Sequence, residues 1–390
     1  MTGASKPEKK YIPAIDGLRA VAVTLVLAFH SYLLPVGWVG VWVFFVISGF
    51  VITGSLLSSE AEPRPLKTAL ADFYSKRFFR IIPLYALILV LATIVHLSTG
   101  VLGDQLGPQL LSLVTFTFNF FRMWPGYTDS GMTGHLWSLS VEEQFYFIFP
   151  LLFLLTPRKN LLSVMIGVIV ASVAIRWGMS ILYSGLHSGK PWVPDDMFHG
   201  ASIYMFSPGH FDAFAMGAMM AILKPLIART KWVFTGLVAA TLAGWAIFFI
   251  GPASTFESPL LALKDNASGN GVEIWRYSLL GLTASCAVVG VIRGVALVTW
   301  PLSLKPVVYV GKISYGVYIY HLPVQVFLMF VVFPGMDLQS TGNAMIMFAA
   351  ELALTVAVAS LSFYFFERPM QKLKPKARAA SLGALAETRA

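Results

Sequence analysis

Long apolar runs alternate with short polar intervals along this chain of 390 residues, and the runs have membrane-spanning length. A hydrocarbon core about 30 Å thick needs about 20 consecutive apolar residues in helical form. Windows of that kind lie near residues 13–34, 38–58, 80–98, 138–156, 161–183, 208–223, 232–252, 274–292, 313–333 and 342–366. The first opens on Pro13, which a helix accepts at its first position. A weaker run at 110–121 is too short to span, so it is expected to re-enter the bilayer or lie on its interface. The pattern predicts an all-α fold, a polytopic membrane helix bundle of about ten transmembrane helices. Residues 1–370 read as one membrane domain and 371–390 as a basic, disordered cytoplasmic tail. There is no internal repeat and no low-complexity tract.

Composition narrows the class further. Hydrophobic residues make up 57% of the chain and charged residues 12%, against about 45–50% and about 25% in soluble domains. Disorder, collagen, coiled coil and a secreted disulfide scaffold are excluded on the same figures. The lone Cys286 leaves no partner for an intrachain disulfide and no cysteine-based metal site. The first apolar run continues from Ile12 to Leu34 without an A-x-A site, so it is expected to stay in the protein rather than act as a cleaved signal.

The net charge of +9 would suit a nucleic-acid partner if it were gathered in one patch. It is instead distributed by side of the membrane. With the N-terminus inside, 22 of the 28 Lys and Arg fall on the inner side, beginning with Lys6, Lys9 and Lys10, and only Arg122, Lys190 and Lys264 fall in outer loops. This bias predicts both termini in the cytoplasm, with the loops 99–137, 184–207 and 253–273 facing outward. No nucleic-acid partner is expected.

Ionisable groups at lipid depth are costly and mark function by default. The first span carries Asp16, Arg19 and His30. Arg19 and His30 are eleven residues apart, which puts them on one helix face roughly 16 Å apart in depth. Asp16 and Arg19 are also spaced for an i,i+3 ion pair. In the second span Ser48-Gly49 reads first as a close-packing pair, because Ser48 should lie roughly two turns deeper than His30. Arg77 and Arg80 are i,i+3 neighbours at the inner end of span three, a fork suited to phosphate. Span four opens His135-Leu136-Trp137 and reaches Glu142-Glu143 at a depth comparable with His30, so Glu142 is expected within one side chain or one water of that imidazole. Arg176 and Glu351 are placed to form a buried pair between helices, and His321 follows Tyr315, Tyr318 and Tyr320.

Taken together these segments make the chain resemble the acyltransferase type 3 family of integral membrane acyltransferases, from Tyr11 to Met370. The matching pieces are IDGLRAVAV with the Arg19-X10-His30 spacing, FFVISGF at 44–50, RFFR at 77–80, WSLSVEEQFY at 137–146, ISYGVYIYHLP at 313–323 and FERP at 366–369. The resemblance implies transfer of an acyl group, commonly acetyl, from cytoplasmic acyl-CoA to a hydroxyl of a carbohydrate or another acceptor. It implies His30 as catalytic histidine with Arg19 as its motif partner, Arg77 and Arg80 beside the CoA phosphates, and Trp137 and Glu142 on the acceptor side. Asp16 and His321 are assigned with Trp137 to substrate binding. Two features depart from the family: His210 stands where many members have Arg ahead of Asp212, which questions an acid–base pair there, and no C-terminal SGNH-type domain is expected.

Acyl transfer from a thioester needs a base, an orienter for the base and donors for the developing oxyanion. His30 is expected as base, Glu142 as orienter, and Ser48, Trp137 or backbone N–H groups as donors. An acyl-enzyme on His30 or Ser48 is the alternative route. Acyl-CoA is the expected co-substrate, no metal is expected, and the oligomeric state is open. The rival class is a proton-coupled transporter using the same intramembrane His, Arg and Glu. The same transfer chemistry on a small metabolite such as a macrolide is the second alternative.

Overall fold

The computed structural model describes residues 11–59, 65–100, 102–124, 126–127, 131–183, 195–251, 253, 263 and 271–374. Lys6, Lys9 and Lys10, most of the 253–273 loop and the tail from 375 onward lie outside the described residues. Pro13 opens α1 (Pro13–His30), and the chain leaves that helix through Tyr32 in a left-handed conformation with φ 62°. A single 3-10 turn at Gly37–Val39 leads into α2 (Gly40–Ser59). α3 (Leu66–Thr99) follows, then two short helices, α4 (Leu106–Val114) and α5 (Phe118–Arg122), and then α6 (Trp137–Leu155) and α7 (Leu161–Tyr183). The middle of the chain forms α8 (Asp195–Met205), α9 (Phe211–Ile222), α10 (Lys224–Arg229) and α11 (Val233–Ile250). α12 (Val272–Arg293), α13 (Ala296–Leu302), α14 (Lys305–Lys312), α15 (Ser314–Phe327), α16 (Thr341–Ser362) and α17 (Arg368–Lys372) complete it. There is no strand among the described residues. The fold is a membrane helix bundle.

Nine helical segments among the described residues are long and apolar enough to cross a membrane. The tenth expected span, 208–223, is shorter than the apolar run suggested. It is α9, 12 residues long and so about 18 Å, and the 3-10 turn at Ser207–His210 separates it from α8. The expected loop 184–207 contains α8, which its mixed composition concealed. The third helix begins 14 residues ahead of its apolar window and runs for 34 residues, or about 51 Å. Arg77 and Arg80 therefore lie inside α3 and not at its end. The weak run at 110–121 is folded inward on one side only: Phe118 and Asn119 have no exposed surface, and Asn119 Nδ2 donates to the Met205 carbonyl at 2.9 Å and to Ser207 Oγ at 2.8 Å, while Leu111 and Val114 are exposed.

Small residues set the central crossing. A Cβ on Gly49 would meet the Phe214 carbonyl oxygen at 2.0 Å, and one on Gly217 would meet the Val46 carbonyl oxygen at 1.9 Å. α2 and α9 thus touch backbone to backbone, as small residues permit in membrane bundles. Beside this crossing, Arg176 from α7 donates to Asp212 of α9 at 2.9 Å, to Ser278 of α12 at 2.6 Å and to the Ile274 carbonyl at 3.1 Å. Both charged side chains are fully buried. This corrects two expectations. Arg176 pairs with Asp212, not with Glu351, whose two carboxylate oxygens have no hydrogen-bond partner among the described residues. The acid–base pair that His210 called into question exists, with its base supplied from another helix. His210 instead contacts the Tyr204 carbonyl through Nε2 at 2.7 Å.

Candidate active site

α1, α2, α3, α6 and α15 converge on a cavity of about 690 Å³, open mouth included. Arg19 of α1, Arg77 and Arg80 of α3, Ser48 of α2, and Glu142 and Tyr146 of α6 line it together with Tyr315 and Tyr318 of α15. Arg77 and Arg80 are one turn apart on α3 and share a face, and Arg80 retains exposed surface. Arg19 reaches the same cavity while ion-paired with Asp16 at 3.0 Å. Tyr11 donates to the other Asp16 oxygen at 2.5 Å, and burial together with this carboxylate pushes its pKa up to about 12. Three guanidiniums around one opening suit a polyanion chemically, since each presents fixed, always-charged donors.

The carboxylate in this cavity has a defined set of contacts. Ser48 Oγ donates to Glu142 Oε1, and so does Tyr146 Oη from the next turn of α6. Tyr146 Oη also lies 3.1 Å from Ser48 Oγ, and the Arg77 guanidinium lies 5.0 Å above the Tyr146 ring. Helix α2 divides its neighbouring small residues between two tasks: Gly49 accommodates α9, and Ser48 turns toward α6. The expectation of simple packing holds for Gly49 and fails for Ser48. Tyr146 was not singled out from the sequence, although its i,i+4 spacing from Glu142 places both on one face.

His30 stands in a different setting. It is the last residue of α1, with Nδ1 3.0 Å from the Val26 carbonyl and 3.2 Å from Nε2 of His321. The Nδ1 atom of His321 is 2.5 Å from the Tyr318 carbonyl. A carbonyl only accepts, so each of these contacts requires a proton on Nδ1. In the neutral form His30 then carries its lone pair on Nε2, and neutral His321 directs its own Nε2 lone pair at His30. The His135 ring packs 4.7 Å from His321 behind this pair. His30 meets the side chain of His321, and the carboxylate of Glu142 meets Ser48 and Tyr146. Ser48 and Glu142 meet although their spacing places Ser48 about two turns deeper than His30 and Glu142 at a depth comparable with it. Tyr318 links the two settings. It lines the cavity, its hydroxyl is 2.5 Å from Ser138 Oγ, and its carbonyl holds His321.

Trp137 does not face the arginine cavity. Its ring lies 4.6 Å from Tyr204 and 6.3 Å from His210, in an aromatic cluster with Trp38, Trp42 and Tyr277. His321 is fully buried and meets the His30 imidazole. No group of three or more His, Cys, Asp or Glu among the described residues could hold a metal ion.

Residues 12–366 match a family described as "Acyltransferase domain". The chain is similar to the peptidoglycan O-acetyltransferase OatA of Listeria monocytogenes, with 29% identity over 95% of this chain and 58% of that protein. It is similar to the O-acetyltransferase OatA of Staphylococcus aureus at 27% identity over 93% of this chain and 58% of the relative. A putative O-acetyltransferase of the same species is 27% identical over 95% of this chain and 59% of its own length. The chain thus spans less than two thirds of these relatives. No solved structure matches it.

Proposed function

The chain belongs to the acyltransferase domain family, and from that premise we propose that it is a membrane O-acetyltransferase acting on hydroxyls of a cell-wall polysaccharide, with cytoplasmic acyl-CoA as donor. The observation that carries this reading is the cavity in which Arg19, Arg77 and Arg80 surround Ser48 and Glu142. The arginines suit the phosphates of a coenzyme A thioester, and the hydroxyl–carboxylate pair suits its acyl end. The similarity to OatA proteins supports acetyl as the group and a peptidoglycan-type sugar as the acceptor.

His30 is the base for the acceptor hydroxyl in this proposal. Nε2 takes the hydroxyl proton as the oxygen attacks the acyl carbon, while Nδ1–H stays held by Val26 and His321. The C-terminal end of the α1 dipole faces the ring as it becomes positive. The cavity with Arg77 and Arg80 opens to the cytoplasm in this reading, and the end of α1 bearing His30 lies toward the outer face. Purified protein in liposomes, with acetyl-CoA on one side and a peptidoglycan fragment on the other, tests it. Free thiol and acetyl ester should appear in equal amounts in wild type. Thiol without ester, or neither, would overturn the assignment.

A further inference from the structure

We propose that Ser48 is the catalytic nucleophile and carries the acyl group between donor and acceptor as an ester; this rests on the acyltransferase reading above. Among the described residues that line the arginine cavity, Ser48 and Tyr146 are the hydroxyls bonded to a carboxylate. A phenol held on that carboxylate is a proton carrier, and an aliphatic hydroxyl whose proton already points at a base is a nucleophile. The main chain at Ser48 is fixed, because its neighbour Gly49 abuts the Phe214 carbonyl. His30 lies beside this cavity, joined to its wall through His321 and the Tyr318 carbonyl. A covalent carrier on Ser48 allows the thiol to leave before the acceptor hydroxyl reacts.

The steps balance. Ser48 Oγ attacks the thioester carbon, its proton passes to Glu142, the C–S bond breaks, and Glu142 returns the proton to the leaving thiolate. The acceptor oxygen then attacks the Ser48 ester, and its proton goes to His30 Nε2. The carbon–Oγ bond breaks, and Ser48 Oγ is reprotonated from cavity water through Tyr146 Oη, which lies 3.1 Å away. The hydroxide left behind is neutralised by the proton that His30 gives up.

The test is to incubate the purified full chain with radiolabelled acetyl-CoA and no acceptor, then to map the label by peptide mass spectrometry. Label is expected on the peptide containing Ser48, up to one equivalent. Ser48→Ala should be unlabelled and release no thiol. Ser48→Cys should be labelled as a thioester, cleaved faster by hydroxylamine, which shows that the site still folds. His30→Ala should still take up label but fail to pass it to added peptidoglycan fragment. Label on His30, turnover with no covalent label, or a Ser48→Ala variant that transfers acetyl at the wild-type rate would overturn the proposal. Wild type that releases no thiol even with acceptor would overturn the acyltransferase reading itself, and the two failures are thereby told apart.

Discussion

Two nitrogen atoms, His30 Nδ1 and His321 Nε2, stand 3.2 Å apart at the end of α1, and backbone carbonyls fix a proton on Nδ1 of each ring. His30→Ala removes the Nε2 lone pair with no other group on α1 positioned to replace it. We expect acetyl ester formation to fall about 10²–10⁴-fold, the usual weight of a general base, with unchanged yield of monodisperse protein; ester assay and size-exclusion chromatography check both. Arg77 and Arg80 belong to the other setting. Replacing both with Gln should raise the acyl-CoA concentration at half-maximal rate at least about tenfold, because each charged hydrogen bond is worth about 1.5–3 kcal/mol. The acceptor concentration at half-maximal rate should not move. Equal shifts for both substrates would assign the pair to folding or topology.

At the level of helices, the buried Arg176–Asp212 pair ties α7 to α9 and, through Ser278, to α12. Asp212→Ala leaves a buried guanidinium without its counter-charge, at a cost of about 3–5 kcal/mol. The variant should unfold at clearly lower temperature in detergent, and pairing it with Arg176→Met should recover much of the loss. What could be read beforehand, and what could not, divides along the same line. Apolar length placed α7 at 161–183 and α15 within 313–333, because span length is set by bilayer thickness and is written locally. The start of α3 escaped notice because its first turns, from Leu66 to Tyr74, are amphiphilic and stand outside the apolar window. The residues gathered at the cavity were legible as motifs. Their pairing was not: Ser48 with Glu142, and His321 with His30, depend on how helices rotate against one another, which one chain's spacing does not record.

For the molecule as a whole, the question is which way it sits in the bilayer. On the charge bias, the turns near Lys159 and Lys231 are expected inside and the turn near Ser340 outside. The α7–α11 connection must then recross through the α8, α9 and α10 segments, since α9 alone is about 18 Å long. In a Cys286→Ser background, an impermeant maleimide should label Ser340→Cys in intact cells, and Lys159→Cys and Lys231→Cys only after permeabilisation. Labelling of Lys231→Cys from outside would defeat the recrossing. The α2–α9 crossing bears on the rival transporter reading at this scale. Helices that slide in an alternating-access cycle do so on a bearing of side chains, whose rotamers yield as the axes shift. At Gly49 against Phe214 and at Gly217 against Val46, carbonyl meets α-carbon with no side chain between them, and the Phe45 ring stacks on Phe214 beside these contacts. The two helices are a single strut with no slack to part. Deuterium should reach the amides of those two segments only when the entire bundle opens, making them the slowest clock in the protein.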